Sequence, residues 1–335
     1  MDKKLKRGVK MRKLSFLATI FMVLAVFFTG CAKGNDSAAD NKEKLKVYTT
    51  IYPLKDFAEK IGGKYVEVES IYPPGVDSHT YEPSQKQVVE IAKSDLFVYS
   101  SKEMEPFASK IEDSVKKEDV KIVDSSNGIE LIKFEGEHDH EGEAHDHEGE
   151  GHDHEGEEGH HHDKDPHIWL DPVLSIQQAE NIKNALVELK PDAKDEFEKN
   201  FADLKKQLEE LDHEFKDVVS NAKTKYILVS HAAYGYWQNR YGIEQIPVAG
   251  LSASQEPSQK DLAKVVEEAK AHNLKYILFE TFATPKVADV VRKEAGLEIL
   301  RLNHLATISD EDIKNKKDYF TLMKENIEVL KKAMN

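Results

Sequence analysis

The pentapeptide Glu82-Pro83-Ser84-Gln85-Lys86 returns letter for letter as Glu256-Pro257-Ser258-Gln259-Lys260. Both copies stand at the same point in the same succession of elements. Before the first, Lys46–Thr50 has a strand pattern, Lys55–Ile61 a helical one stopped by Gly62-Gly63, and Tyr65–Tyr72 a second strand closed by Pro73-Pro74-Gly75. After it, a helix runs to about Lys93 and a strand covers Asp95–Ser100. Around the second copy the order repeats. Lys225–Ser230 is a strand, Tyr234–Arg240 a helix stopped by Gly242, and Gln245–Ala249 a strand; a helix then runs to about His272, and Lys275–Glu280 is a strand. A capping serine with Gln87 three residues on would by itself explain one EPSQK. The matched order on both sides makes duplication the better account. Strands alternating with helices predict α/β lobes with mostly parallel sheets.

Between the halves the chain is helical and free of glycine from Asp171 to Tyr234. Asp171-Pro172 is a cap followed by proline in the first turn. Val173, Ile176, Ala179, Ile182, Leu186 and Leu189 mark one face, and Lys190-Pro191 breaks the helix. Phe197, Phe201, Leu204, Leu208, Leu211, Phe215 and Val218 then follow at spacings of four and three, an amphipathic stripe roughly 33 Å long. Such a connector is expected to restrain the lobes and leave little room for closure.

The first thirty residues have another purpose. Seven Lys/Arg and one acid occupy 1–13, and an apolar run from Leu14 to Phe28 ends at Thr29-Gly30-Cys31. A basic start, a short apolar stretch and small residues at the exit predict a secretory signal over 1–30. Phe28-Thr29-Gly30-Cys31 resembles a bacterial lipobox, which makes Cys31 the lipidated first residue of the processed chain. The small, polar stretch 31–44 reads as a flexible tether. The expected location is extracytoplasmic, lipid-anchored to the cell membrane.

Charge narrows the partners. The formal net charge is −15, which argues against nucleic acid, and the single Cys excludes a disulfide framework or a multi-Cys zinc site. Nine of the 15 histidines lie between 138 and 162: His138, His140, His145, His147, His152, His154, His160, His161 and His162. Over 137–163 they stand among twelve acids, without Lys or Arg, in a sequence where HDHEGE recurs every seven residues. Frequent glycine and the lack of an apolar seam predict a disordered loop over about 135–164. Imidazole with carboxylate suits weak, exchangeable capture of transition metals.

Six histidines lie elsewhere. His213 falls off its helix's apolar stripe and His272 ends a helix, so neither needs a function. His79, His167, His231 and His304 occupy turns at strand ends or before helices, where parallel α/β lobes collect ligands. Together with the His-rich stretch they point to a metal held between the lobes.

The lipobox, VDSHTYEPS at 76–84, the acidic His loop, DPHIWLDP at 165–172, SHAAYGY at 230–236 and VAGLSASQEPS at 248–258 together resemble the zinc-type substrate-binding lipoproteins of bacterial ABC metal importers, over nearly the whole chain. The resemblance implies two four-stranded α/β lobes, 45–170 and 223–335, joined by a long rigid helical connector, 171–222, with one tight Zn²⁺ site in the interlobe cleft. It implies delivery of zinc to a permease and its ATPase by a monomer. Its three histidine ligands fall on His79, His167 and His231. The acid that many zinc members carry after the last strand falls on Ala306, so His304, Glu280 or a water is left to complete the shell. Three imidazoles suit zinc, whereas manganese members use carboxylates with two histidines. A manganese carrier, a surface adhesin or metal store, and a zinc hydrolase are the alternatives. No HExxH and no nucleophile elbow supports the last, and no enzyme is expected.

Overall fold

The computed structural model describes residues 44–134, 164–252, 257–281 and 286–335. The signal, Cys31, the tether, most of the His-rich stretch and Glu256 of the second pentapeptide lie outside the described residues.

The two halves build the same sheet twice. In the first, β1 (Leu45–Thr49), β2 (Val66–Ser70), β3 (Leu96–Tyr99) and β4 (Lys121–Asp124) are parallel in the order β2-β1-β3-β4. In the second, β5 (Tyr226–His231), β6 (Glu244–Ala249), β7 (Tyr276–Glu280) and β8 (Glu298–Leu302) are parallel in the order β6-β5-β7-β8. Parallel strands covered on both faces read as unbroken apolar runs, as Leu96–Tyr99 does with all four residues buried. In both sheets the chain leaves the inner pair of strands in opposite directions, which opens a crevice at their carboxyl ends.

The helices follow from local chemistry. α1 (Tyr52–Gly62) begins earlier than its apolar pattern suggests, with Pro53 in the first turn. At its end a Cβ on Gly62 would meet Val66 Cγ1 at 2.3 Å, and Gly63 takes φ +51°. Each EPSQK opens a helix: α2 (Gln85–Ala92) and, later, α7 (Gln259–Ala271). Ser84 and Ser258 form full capping boxes with Gln87 and Asp261. α3 (Phe107–Ser114) and β4 escape sequence reading because they are short and flanked by polar runs.

The connector is two helices. α4 (Pro172–Leu189) and α5 (Lys194–Ser220) are joined by the turn Pro191–Ala193 and pack against each other and against α1. Asp171 caps α4, accepting from Val173 N (2.8 Å) and Leu174 N (3.2 Å), while Arg240 Nε donates to its other oxygen at 2.5 Å. α5 buries Phe197, Leu204, Leu208, Leu211 and Phe215; Val219 rather than Val218 completes the buried set, and His213 is exposed. α6 (Gly235–Tyr241) ends at Gly242 in the left-handed region, φ +72°. α8 (Lys286–Ala295), α9 (Asp310–Lys314) and α10 (Tyr319–Ala333) follow, and α10 packs on α5 and β8.

One hydrophobic cluster runs from the first sheet through α4, α5 and α10 to the near face of the second sheet, where Val229 and Leu278 sit. Alternate residues of that sheet, Leu228, Ile277 and Phe279, face a separate small cluster under α7 and α8.

Replacing Asp171 with Ala should lower stability by about 2 kcal/mol, the sum of a lost cap and a lost charge-assisted hydrogen bond, as read by urea unfolding. A second expectation concerns pH. Glu105 is fully buried and accepts the N–H groups of Ser100 and Ser101 at 3.0 Å each. Burial pushes its carboxyl up to about 8, against the pull of those hydrogen bonds. The folded state therefore holds a proton that the unfolded chain releases, and stability falls as pH rises from about 4.5 towards 8. Glu105→Gln should flatten the fall between these limits in unfolding measured across pH.

Candidate metal centre

His79 sits on the loop between β2 and α2, where its N–H donates to Asp77 Oδ1 at 2.9 Å. His167 precedes the short turn Ile168–Leu170 that leads into Asp171 and α4. His231 is the last residue of β5, one place beyond Ser230, where the sequence pattern ends that strand. His304 lies two residues beyond β8. From these four separate places the rings meet: one ligand atom from each falls within 4.8 Å of all the others. His167, His231 and His304 are buried.

The arrangement matches a tetrahedral shell. The six distances between ring centroids lie between 5.1 and 6.0 Å. Four imidazoles bound at about 2.0–2.1 Å would have donor nitrogens about 3.3 Å apart. His79 Nε2 and His167 Nε2 are 3.3 Å apart. His231 Nε2 and His304 Nε2 are buried without a hydrogen-bond partner. Buried polar atoms are rarely left unpaired, and two bare imidazole nitrogens facing two others are satisfied by a cation. The donor set is nitrogen only, which suits Zn²⁺ and its neighbours among the transition metals better than Mn²⁺ or Mg²⁺.

Buried carboxylates lie behind two of the rings. Asp165 Oδ1 lies 2.7 Å from His167 Nδ1 and 2.9 Å from the His167 N–H. With Nδ1 engaged, Nε2 is the atom that meets His79 Nε2. A Cβ on Gly235 would stand 2.5 Å from Asp165 Oδ2, so the glycine of SHAAYGY admits this carboxylate. Burial pushes the Asp165 carboxyl up to about 7, opposed by hydrogen bonds from the His167 and Gly235 backbone. On the other lobe, Glu280 Oε1 lies against His231 Nδ1. Burial opposes its ionisation, but His231, His304 and His79 hold it down to about 2.

The loop carrying His304 is clamped from both sides. Asn326 of α10 accepts from Asn303 N and donates to Asn303 O, both at 2.7 Å. From the first half, Trp169 Nε1 donates to His304 O (2.8 Å) and Tyr52 N to Ala306 O (2.9 Å). Thr307 Oγ1 donates to Val76 O at 3.2 Å. These ties hold Leu305 at φ +63°, a backbone conformation a leucine rarely takes. Burial pushes His304 down to about 4, with Glu280 opposing and His231 assisting. The ring therefore stays neutral and able to donate its lone pair through mildly acidic pH.

All four interlobe histidines named from sequence come together, and Glu280 lies outside their group. Ala306 is buried, with no side-chain donor to offer. His272 instead stacks on Tyr226, centroids 3.6 Å apart. Sequence reading missed Asp165, Trp169 and the Asn326 clamp. Asp165 had one visible signal, an acid two residues before a histidine in DPH. The nine histidines of 138–162 and Cys31 lie outside the described residues.

Residues 47–333 match the family described as zinc-uptake complex component A, periplasmic. The high-affinity zinc uptake system protein ZnuA of Bacillus subtilis is 38% identical over 319 residues, covering 94% of this chain and 97% of that protein. The zinc-binding lipoprotein AdcA of Streptococcus pneumoniae is 36% identical over 327 residues; the match takes in 96% of this chain but 61% of AdcA. The crystal structure of the Zn(II)-bound ZnuA-like domain of S. pneumoniae AdcA superposes with a TM-score of 0.70 at 33% identity, covering 87% of this chain and 99% of that domain.

Gly235→Ala should displace Asp165 and weaken zinc binding by roughly tenfold or more, the usual effect of losing an outer partner, as read by competition against a chelating dye.

Proposed function

The chain belongs to the zinc-uptake complex component A family, and on that premise we propose that it captures Zn²⁺ outside the cytoplasm and delivers it to an ABC permease for uptake. The observation that carries the reading is the convergence of four imidazoles, two with bare buried nitrogens. The ligand set is His79, His167, His231 and His304, one ion per chain. Zinc is cargo here, so tight binding without chemistry is the task. An open coordination position, which a zinc hydrolase needs, has no counterpart in a site whose four donors are all imidazole.

The remaining parts follow from the same reading. Residues 1–30 are the export signal, Cys31 carries the lipid anchor, and 31–44 is the tether. Residues 45–170 and 223–335 are the two lobes and 171–222 the connector. The histidines of 138–162 add weak sites that raise the local supply of metal. The partners are the permease and its ATPase.

The test is a zinc titration of the full chain and of a form lacking 137–163. One tight site should survive the deletion. His79→Ala, His167→Ala and His231→Ala should each lose more affinity than the about 10–100-fold of an outer-partner loss, while His213→Ala loses none. Equal losses from all four variants, or no tight site without 137–163, would sink the reading. Affinity should also fall as pH drops through the histidine range, because protons compete for the ring nitrogens.

A further inference from the structure

Glu280 has no assigned task in the reading above, although it is a carboxylate 12% exposed at the centre of the second sheet's crevice. It ends β7 as His231 ends β5, and the two strands are neighbours. Its Oε1 lies against His231 Nδ1 and accepts from Ser230 Oγ at 3.4 Å. It is not among the four groups whose ligand atoms converge. Both nitrogens of that ring are buried; Glu280 stands against Nδ1, and Nε2, on the far side, has no hydrogen-bond partner.

We propose that Glu280 is a positioning residue for metal capture: it accepts the Nδ1 proton of His231, so that the neutral ring turns an unprotonated Nε2 to the cation, and it supplies a fixed negative charge from the second lobe. This rests on the reading of the four imidazoles as one zinc shell. An imidazole ring carries one mobile proton, and only the tautomer with that proton on Nδ1 can bind through Nε2. A hydrogen-bond acceptor fixed at Nδ1 removes the competing tautomer before the metal arrives.

Charge gives the second reason. Four neutral rings leave a dication uncompensated, and a buried net charge is costly. Asp165 stands behind His167 in the first half. Glu280 stands behind His231 in the second, and its negative charge offsets part of that cost. Where a zinc site takes a carboxylate as its fourth ligand, part of that compensation is direct. Here the loop offers His304 and Ala306, so the acid acts through the ring.

The test uses the full chain with ¹⁵N-labelled histidine, as wild type, Glu280→Gln, Glu280→Ala and His231→Ala, with His213→Ala as control. Zinc affinity is measured by competition against a chelator, the tautomer of His231 by long-range ¹H–¹⁵N spectra without metal, and folding by thermal unfolding. A glutamine carbonyl can still accept the Nδ1 proton, so Glu280→Gln should keep the tautomer and lose affinity by roughly three- to tenfold. Glu280→Ala should mix the tautomers and lose about 10–100-fold. A purely structural role would leave the tautomer unmoved. If Glu280→Ala does not fold, the glutamine variant carries the test alone. Wild-type affinity in Glu280→Gln overturns the charge role, and a loss equal to that of His231→Ala makes Glu280 a ligand and overturns the proposal. Wild-type affinity in His231→Ala would instead overturn the zinc shell itself, and an unchanged His231 tautomer in Glu280→Ala overturns the positioning role.

Discussion

Three imidazole rings removed from water, and a fourth at the edge of them, are the constraint the rest of the molecule serves. Water would satisfy each ring nitrogen at no cost in an open loop. Burial withdraws that option, and two Nε2 atoms are left with nothing. Such an arrangement persists only if the surrounding protein holds the rings together against the cost of bare polar atoms, of order 1–3 kcal/mol each. The fold supplies that support from four directions: the β2–α2 loop, the entry to α4, the end of β5 and the clamped turn after β8.

The duplicated sheets explain why those directions converge. Identical strand orders place a crevice at the carboxyl edge of each sheet. One hydrophobic cluster continues through both halves and the connector. The second sheet is the less embedded of the two, since its outer face rests on a separate cluster. The imidazole from that sheet is also the one whose backing comes from its own neighbouring strand, through Glu280.

Much of this was legible in the sequence. EPSQK marked the helix starts because a capping box is written within four residues. The four histidines stood out only together, at strand ends or before helices in a chain with a His-rich stretch; any one alone reads as a capping or core residue. The choice among His304, Glu280 and water was not legible. Both residues lie at ends of neighbouring strands, β8 and β7, and local sequence does not say which side chain reaches the cleft. Asp165 and Trp169 were missed for a related reason: their partners are a ring nitrogen held from behind and a carbonyl 135 residues away. α3 and β4 were missed because elements this short carry too few residues for a period to show.

The ties on the turn after β8 have a thermodynamic consequence. His304 belongs by sequence to the second half, yet Trp169 of the first half grips its carbonyl and Tyr52 that of Ala306. Three donors, His79, His167 and His304, are thereby bound to the same half of the molecule. Most of the chelate is assembled in advance, and the ordering entropy that an unconstrained set of ligands would surrender on capture has already been spent during folding.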